Sequence, residues 1–298
     1  MQIIKSDIHR GNFTNITFKK PEDEQPYYQL MSDITGAFLQ IEYLSVVEGT
    51  RDAHLMFIRP NELEGQREKF KKYGLEIVLL NKEMDDMSGG YGNHSADWDG
   101  SGNYTWRAII TRPQFVNTWN EIWNARETKD VFLGEYLIGR ALGYPDCCAK
   151  HFTEVWMRRG GVDTTWQQAA CTVAGTPDYV EAEKIMGDCN AIELSADTPI
   201  WGSNLIRWAG LKFVTHLPCS FTCNETRRIA MENIALATKY GFAHKYEKLY
   251  RMLDWETTWT AEFGIAKIET PIFTINTITD ITSIPYKVVK KGHNNCIL

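Results

Sequence analysis

Apolar and polar positions follow two different rhythms along this chain, and the changes of rhythm mark out its elements. Near the amino end, His54-Leu55-Met56-Phe57-Ile58 is a short apolar run stopped by Pro60, as a strand would be. Asn61 stands where it would cap a helix that sets Leu63, Phe70 and Tyr73 on one face and ends at Gly74. Residues 75–80 return to strand composition, so strand, helix and strand together predict a parallel crossover pair. Residues 16–18 read as extended, whereas residues 28–47 carry many apolar positions in no clean period.

The middle of the chain runs at helical spacing. Phe115, Trp119, Ile122 and Trp123 predict a helix over 115–124, and residues 131–142 form an amphipathic stretch closed by Gly143. Residues 149–159 continue as helix, and an acidic helix follows Pro177 over 178–186. Thr222 with Glu225 makes a capping box for a helix carrying Ile229, Ala230, Ile234 and Leu236 and stopped by Gly241. Residues 245–253 predict one more. The carboxyl end then alternates: 263–270 and 272–278 read as strands around Pro271, and 286–289 as a third. The expectation is an α+β fold, a small mixed sheet from both chain ends around a helical middle. Residues 1–125 form a mixed α/β amino-terminal region with a glycine-rich loop at 85–104, and residues 126–298 a Cys/His-motif domain, helical then β.

Composition narrows the function classes. The net charge of −6, from 38 acidic and 32 basic side chains, offers no general attraction to nucleic-acid phosphates. No apolar run approaches a membrane span, and the amino-terminal residues lack the apolar core of a secretory signal, so a cytoplasmic protein is expected. Seven cysteines, an odd number, argue against a disulfide framework and for metal ligands or reactive thiols. Cys171 and Cys189 stand apart in sequence and read as small buried residues, and His9, His54, His94, His244 and His293 as surface or satisfied histidines.

The chemistry gathers in two segments with the same local grammar, Gly143-Tyr144-Pro145-Asp146-Cys147-Cys148 and His216-Leu217-Pro218-Cys219-Ser220-Phe221-Thr222-Cys223. Pro145 suits the first position of a helix, which puts Cys147 and Cys148 in its first turn. With Thr222 as cap, Cys223 is the first helical residue and Cys219 lies just outside. Helix amino termini favour thiolates, and thiolates serve metal binding and nucleophilic catalysis alike. For a metal, Cys147, Cys148, His216, Cys219 and Cys223 form the expected ligand set, for zinc or an iron–sulfur cluster, with His151 one helical turn from Cys147. Cys219-x3-Cys223 lacks the third cysteine of a radical-enzyme cluster motif, since Thr226 stands there. For catalysis, Cys148 pairs with His216, or Cys219 with His151, and Glu269, Asp146 and Glu154 are proton carriers to consider. Three functions are open: a metal-dependent enzyme acting on a small molecule or modified nucleotide, a metal-free cysteine-nucleophile transferase, and a non-enzymatic protein stapled by a metal.

Leu142-Gly143-Tyr144-Pro145-Asp146-Cys147-Cys148, His216-x-Pro218-Cys219-Ser220-Phe221-x-Cys223 and Gly264-Ile265-Ala266-x-Ile268-x-Thr270-Pro271 resemble the three signatures of an uncharacterised archaeal and bacterial family, a domain of unknown function. The resemblance covers roughly residues 130 to 280 and implies that Cys148, His216, Cys219 and Cys223 share one site. It implies no reaction, and it leaves the first 125 residues unmatched.

Overall fold

Strands from the two ends of the chain meet in one sheet. The computed structural model describes residues 15–84, 100, 102–128, 130–157, 163–278 and 285–294. Its larger sheet runs in the order β1 (Asn15–Phe18), β8 (Phe273–Ile278), β7 (Ile265–Glu269), β6 (Thr257–Glu262), β9 (Tyr286–Lys290) and β5 (Ala191–Leu194). The β5–β9 pair is parallel and the other pairs are antiparallel, so the sheet is mixed and the fold α+β. The sequence reading left β6 unassigned. Its inward positions are Thr257, Trp259 and Ala261 against Thr258, Thr260 and Glu262, an alternation that is short and blurred by the buried Thr257.

The second sheet corrects the expected crossover. β2 (Ala53–Ile58) and β3 (Glu76–Met84) flank β4 (Tyr104–Thr111), each antiparallel to it. Helix α2 (Leu63–Lys71) does connect two strands of the same direction, but β4 lies between them. Ala108, Ile109 and Ile110 of β4 are fully buried, which suits the central place. Asn61 caps nothing; it sits inside a 3-10 turn, Pro60–Glu62, ahead of α2. Most of the expected glycine-rich loop, residues 85–99 and 101, lies outside the described residues, and by Tyr104 the chain is already strand.

The stretch without a clean period is helix α1 (Pro21–Val47), 27 residues long. In its last turns Ile41, Glu42, Tyr43, Leu44, Ser45 and Val46 are all buried. Its earlier turns do bury one face, with Tyr27, Met31, Ile34 and Phe38 at helical spacing, but the enclosed last turns have no polar face and blur the pattern over the whole stretch. α1 packs against α8 (Asn224–Lys239), α9 (Ala243–Leu253) and β2, and so joins the first residues of the chain to its cysteine-bearing half. Tyr27, Trp255 and Phe273 meet in the core between α1 and the larger sheet. Among the described residues, no helix is long and apolar enough to cross a membrane.

Candidate metal centre

The first cysteine turn is set by the end of α4 (Val131–Ala141). Glu135 ties α4 down, accepting from Arg107 at 3.1 and 3.2 Å and from Arg126 Nε at 2.6 Å. The helix stops at Gly143, whose φ of +81° is open to glycine and strained for other residues. Tyr144 N–H then bonds back to Gly139 O at 3.0 Å, and the chain reverses into α5 (Asp146–His151). Pro145 is the N-cap of α5, one place earlier than expected, which still leaves Cys147 and Cys148 in the first turn. α5 passes directly into a π-helical stretch, Phe152–Met157.

The second turn is held by backbone packing. A Cβ on Gly202 would lie 2.8 Å from Ser220 O, so the two loops touch main chain to main chain. Gln168 and Thr172 of α6 (Thr165–Ala174) complete the clamp, Gln168 donating to Gly202 O at 2.6 Å and Thr172 Oγ1 accepting from Phe221 N at 2.9 Å. The expected capping box does not form. Cys223 is the N-cap of α8 and its side chain makes no cap bond, while Thr222 is exposed and Glu225 pairs with Arg228. The turn that brings Cys223 inward carries Thr222 out.

These turns bring four sulfurs together. Cys147, Cys148, Cys219 and Cys223 have Sγ atoms all within 4.8 Å of one another, a group able to hold a metal ion. The separations are 3.9 Å for Cys147–Cys148, 3.7 Å for Cys147–Cys223 and 3.7 Å for Cys148–Cys223. Cys148 and Cys219 are buried, whereas Cys147 and Cys223 are half-buried. Cys148 Sγ lies 3.5 Å from the Cys219 N–H donor and 3.4 Å from Thr226 Oγ1. The four thiols ionise as one group. Hydrogen bonds from neighbouring thiols pull Cys223 and Cys147 below the ordinary thiol range, and Cys148 and Cys219, which supply such bonds, are pushed far above it. A cation among them would favour the thiolate form of all four.

His216, expected as a ligand, is buried beside the four rather than among them. Its Nε2 lies 2.9 Å from Thr226 Oγ1, giving the contact chain Cys148, Thr226, His216. Its ring packs at a tilt on Tyr144, centroids 5.2 Å apart, and the Arg51 guanidinium lies over the Tyr144 ring, 5.6 Å from its centre. Burial, and then the charge on Arg51, lower the His216 pKa from 6.5 to about 3. The unfolded chain therefore takes up a proton that the folded protein refuses, and stability falls as pH drops from 6.5 toward 3, by about 1.4 kcal/mol per pH unit. Urea denaturation of wild type and His216→Gln between pH 6.5 and about 5 checks this; the wild type should show the steeper slope, and parallel curves would exclude a neutral buried histidine.

Other residues named from sequence fall elsewhere. Glu269 lies on β7 in a partly exposed pair with Lys267, at 2.8 Å. His151 is buried at the end of α5, its ring 6.4 Å from that of Tyr179, and it is not one of the four. Cys171 is buried, its thiol pushed up to about 12 by burial, and Cys189 Sγ donates to Ala191 O. Cys296 lies outside the described residues.

Sequence reasoning missed Thr226, Arg51 and Glu42. Thr226 follows Cys223 by three residues, a spacing that puts both on one side of a helix start. Glu42 stands alone among apolar residues in α1, 1% exposed, and accepts from Arg51 at 2.6 Å and from Thr215. His54, read as isolated, has Nδ1 3.4 Å from the same carboxylate. Burial opposes the charge on Glu42, but the Arg51 guanidinium and these bonds hold its carboxyl well below the usual carboxylate range. Arg51 Nε also donates to Leu142 O at 3.0 Å, next to Gly143, so the buried pair braces the first cysteine turn.

No protein-family model, no curated protein and no solved structure matches the chain. The cysteine cluster therefore carries the functional reading by its own geometry.

Proposed function

We propose that this chain is a metalloprotein in which a single ion, zinc in the first place, is held by Cys147, Cys148, Cys219 and Cys223 and ties the two cysteine turns together. One observation supports it above the rest. A tetrahedral ion with metal–sulfur bonds of about 2.3 Å has sulfur–sulfur edges of about 3.8 Å. Three separations in the cluster are 3.7, 3.7 and 3.9 Å. Sulfurs this close surround one ion and leave no space for a cube of irons and sulfides, so iron here would be mononuclear.

Four sulfurs complete a tetrahedron, the arrangement of structural rather than catalytic zinc. This favours the metal staple over an enzyme acting on a small molecule or nucleotide. It also disfavours a metal-free transferase, because His216 at a pKa of about 3 is a weak base facing a hydroxyl. Elemental analysis of protein purified without added metal should find about one zinc per chain. The cobalt-exchanged protein should show the intense bands of a tetrahedral thiolate site. Four freely titrating thiols with no bound metal, or an octahedral cobalt spectrum, would overturn the reading.

A further inference from the structure

The proposed centre is lopsided, with two sulfurs sealed in the interior and two facing outward. We infer that its outer edge, Cys147 with Cys223, is a redox modification site, at which an oxidant of the peroxide class joins the two sulfurs in a disulfide and releases the ion. This inference rests on the four-sulfur metal reading above.

Access and hydrogen bonding select the pair. Cys148 and Cys219 are each 1% exposed, while Cys147 and Cys223 are only half-buried. Cys148 also sits against the Cys219 N–H and the Thr226 hydroxyl, which is itself in contact with His216. Hydrogen bonds to a bound thiolate draw electron density from the sulfur and lower its nucleophilicity, so the inner edge is the less reactive one.

Geometry selects the partner. Three sulfur pairs stand at 3.7 to 3.9 Å. Cys147 and Cys148 are neighbours within α5, with Cα atoms about 3.8 Å apart across their peptide bond, short of the roughly 4.4 Å at which disulfides begin. The Cys148–Cys223 pair needs the buried sulfur. Cys147 and Cys223 remain, 3.7 Å apart, one in the first turn of α5 and the other at the N-cap of α8. Joining them requires the sulfurs to move from 3.7 Å to a bond length of about 2.05 Å.

The step balances. One outer thiolate attacks an oxygen of hydrogen peroxide, becomes a sulfenic acid and releases hydroxide. The second outer thiolate attacks that sulfur, forms the S–S bond and releases a second hydroxide. Two electrons pass from the thiolates into the broken O–O bond, both hydroxides leave as water after taking protons from solvent, and the ion is left with two of its four ligands.

The test uses the full chain with its metal content measured beforehand. Hydrogen peroxide is added with a chromophoric zinc chelator present, the remaining thiols are alkylated, and the disulfides are located by peptide mass spectrometry. The expected result is release of the ion in step with a Cys147–Cys223 disulfide, alkylated Cys148 and Cys219, and recovery of metal binding after dithiothreitol and zinc. Thr226→Val, which strips a hydroxyl from the inner edge and leaves all four sulfurs, should bring Cys148 into oxidised products from which it is absent in the wild type. An ion retained under peroxide, or a wild-type disulfide involving Cys148 or Cys219, overturns the inference and leaves the metal centre standing. Protein that holds no ion before peroxide is added sinks both.

Discussion

Chelating the ion proposed for the four sulfurs should lower the melting temperature of this protein by on the order of 10 °C. An ion that binds the folded chain stabilises it by mass action, by about 4 kcal/mol when its free concentration is a thousand times the dissociation constant. In a chain of this size each kcal/mol moves the midpoint by about 2–4 °C. The ion would join turns 71 residues apart, the separation between Cys148 and Cys219. Each turn also has anchors of its own, Arg51 on Leu142 O for the first, and Thr172 and Gly202 for the second. The metal-free chain should therefore keep its helices and lose stability, in contrast to small zinc domains that unfold outright. Cys219→Ser should match chelation, because it breaks the tetrahedron from its buried side. Calorimetry with and without chelator, together with far-ultraviolet circular dichroism, checks both. A midpoint that stays put after elemental analysis has shown the ion to be gone would mean that packing alone holds the turns.

Arg51→Met should cost about 3–5 kcal/mol, the usual effect of removing one partner from a buried ion pair. Glu42 is 1% exposed, and without the guanidinium its charge would face hydrocarbon, Thr215 and His54. The signature is in the pH dependence. In the wild type the Glu42 carboxyl is held below its ordinary 4.5, so its contribution is present above pH 4.5 and is lost as pH falls. In the variant, burial raises the same pKa, and the sign of the Glu42 contribution reverses: the deficit relative to wild type should shrink on mild acidification as Glu42 takes up a proton. The double variant Glu42→Met with Arg51→Met should recover most of the loss, since a packed apolar pair replaces the ion pair. Denaturant titrations of wild type, single and double variants at neutral and mildly acidic pH measure all of this. Metal affinity should fall in the single variant as well, because Arg51 holds the residue before Gly143. A single variant as stable as wild type would show that the pair contributes nothing to the fold.

How much of this was legible in the chain differs by element. β7, β8 and β9, with α4, α7 (Tyr179–Met186) and α9, announce themselves by period, whereas the caps Asp130 and Asp178, whose carboxylates accept N–H groups of the first turns of α4 and α7, were not read from the sequence. α1 does not, because its last turns are enclosed on every side. β4 was hidden by its position after the glycine-rich stretch, and its place between β2 and β3 depends on partners far off in sequence. The capping box at Thr222 and Glu225 was a sound local rule that lost by one residue to the turn at Cys223.

The site divides in the same way. By itself the sequence determined that two proline-preceded cysteine turns open two helices, and so which residue types crowd their first turns. Only the tertiary structure decided that all four sulfurs, and not His216, face one point, that Thr226 stands between Cys148 and His216, and that Cys147 and Cys223 form the open edge. The physical reason is one of scale: a helix cap is settled within a few residues, whereas which side chains reach a shared point and which stop beside it is settled by the packing of α1, α4, α6 and α8 around both turns.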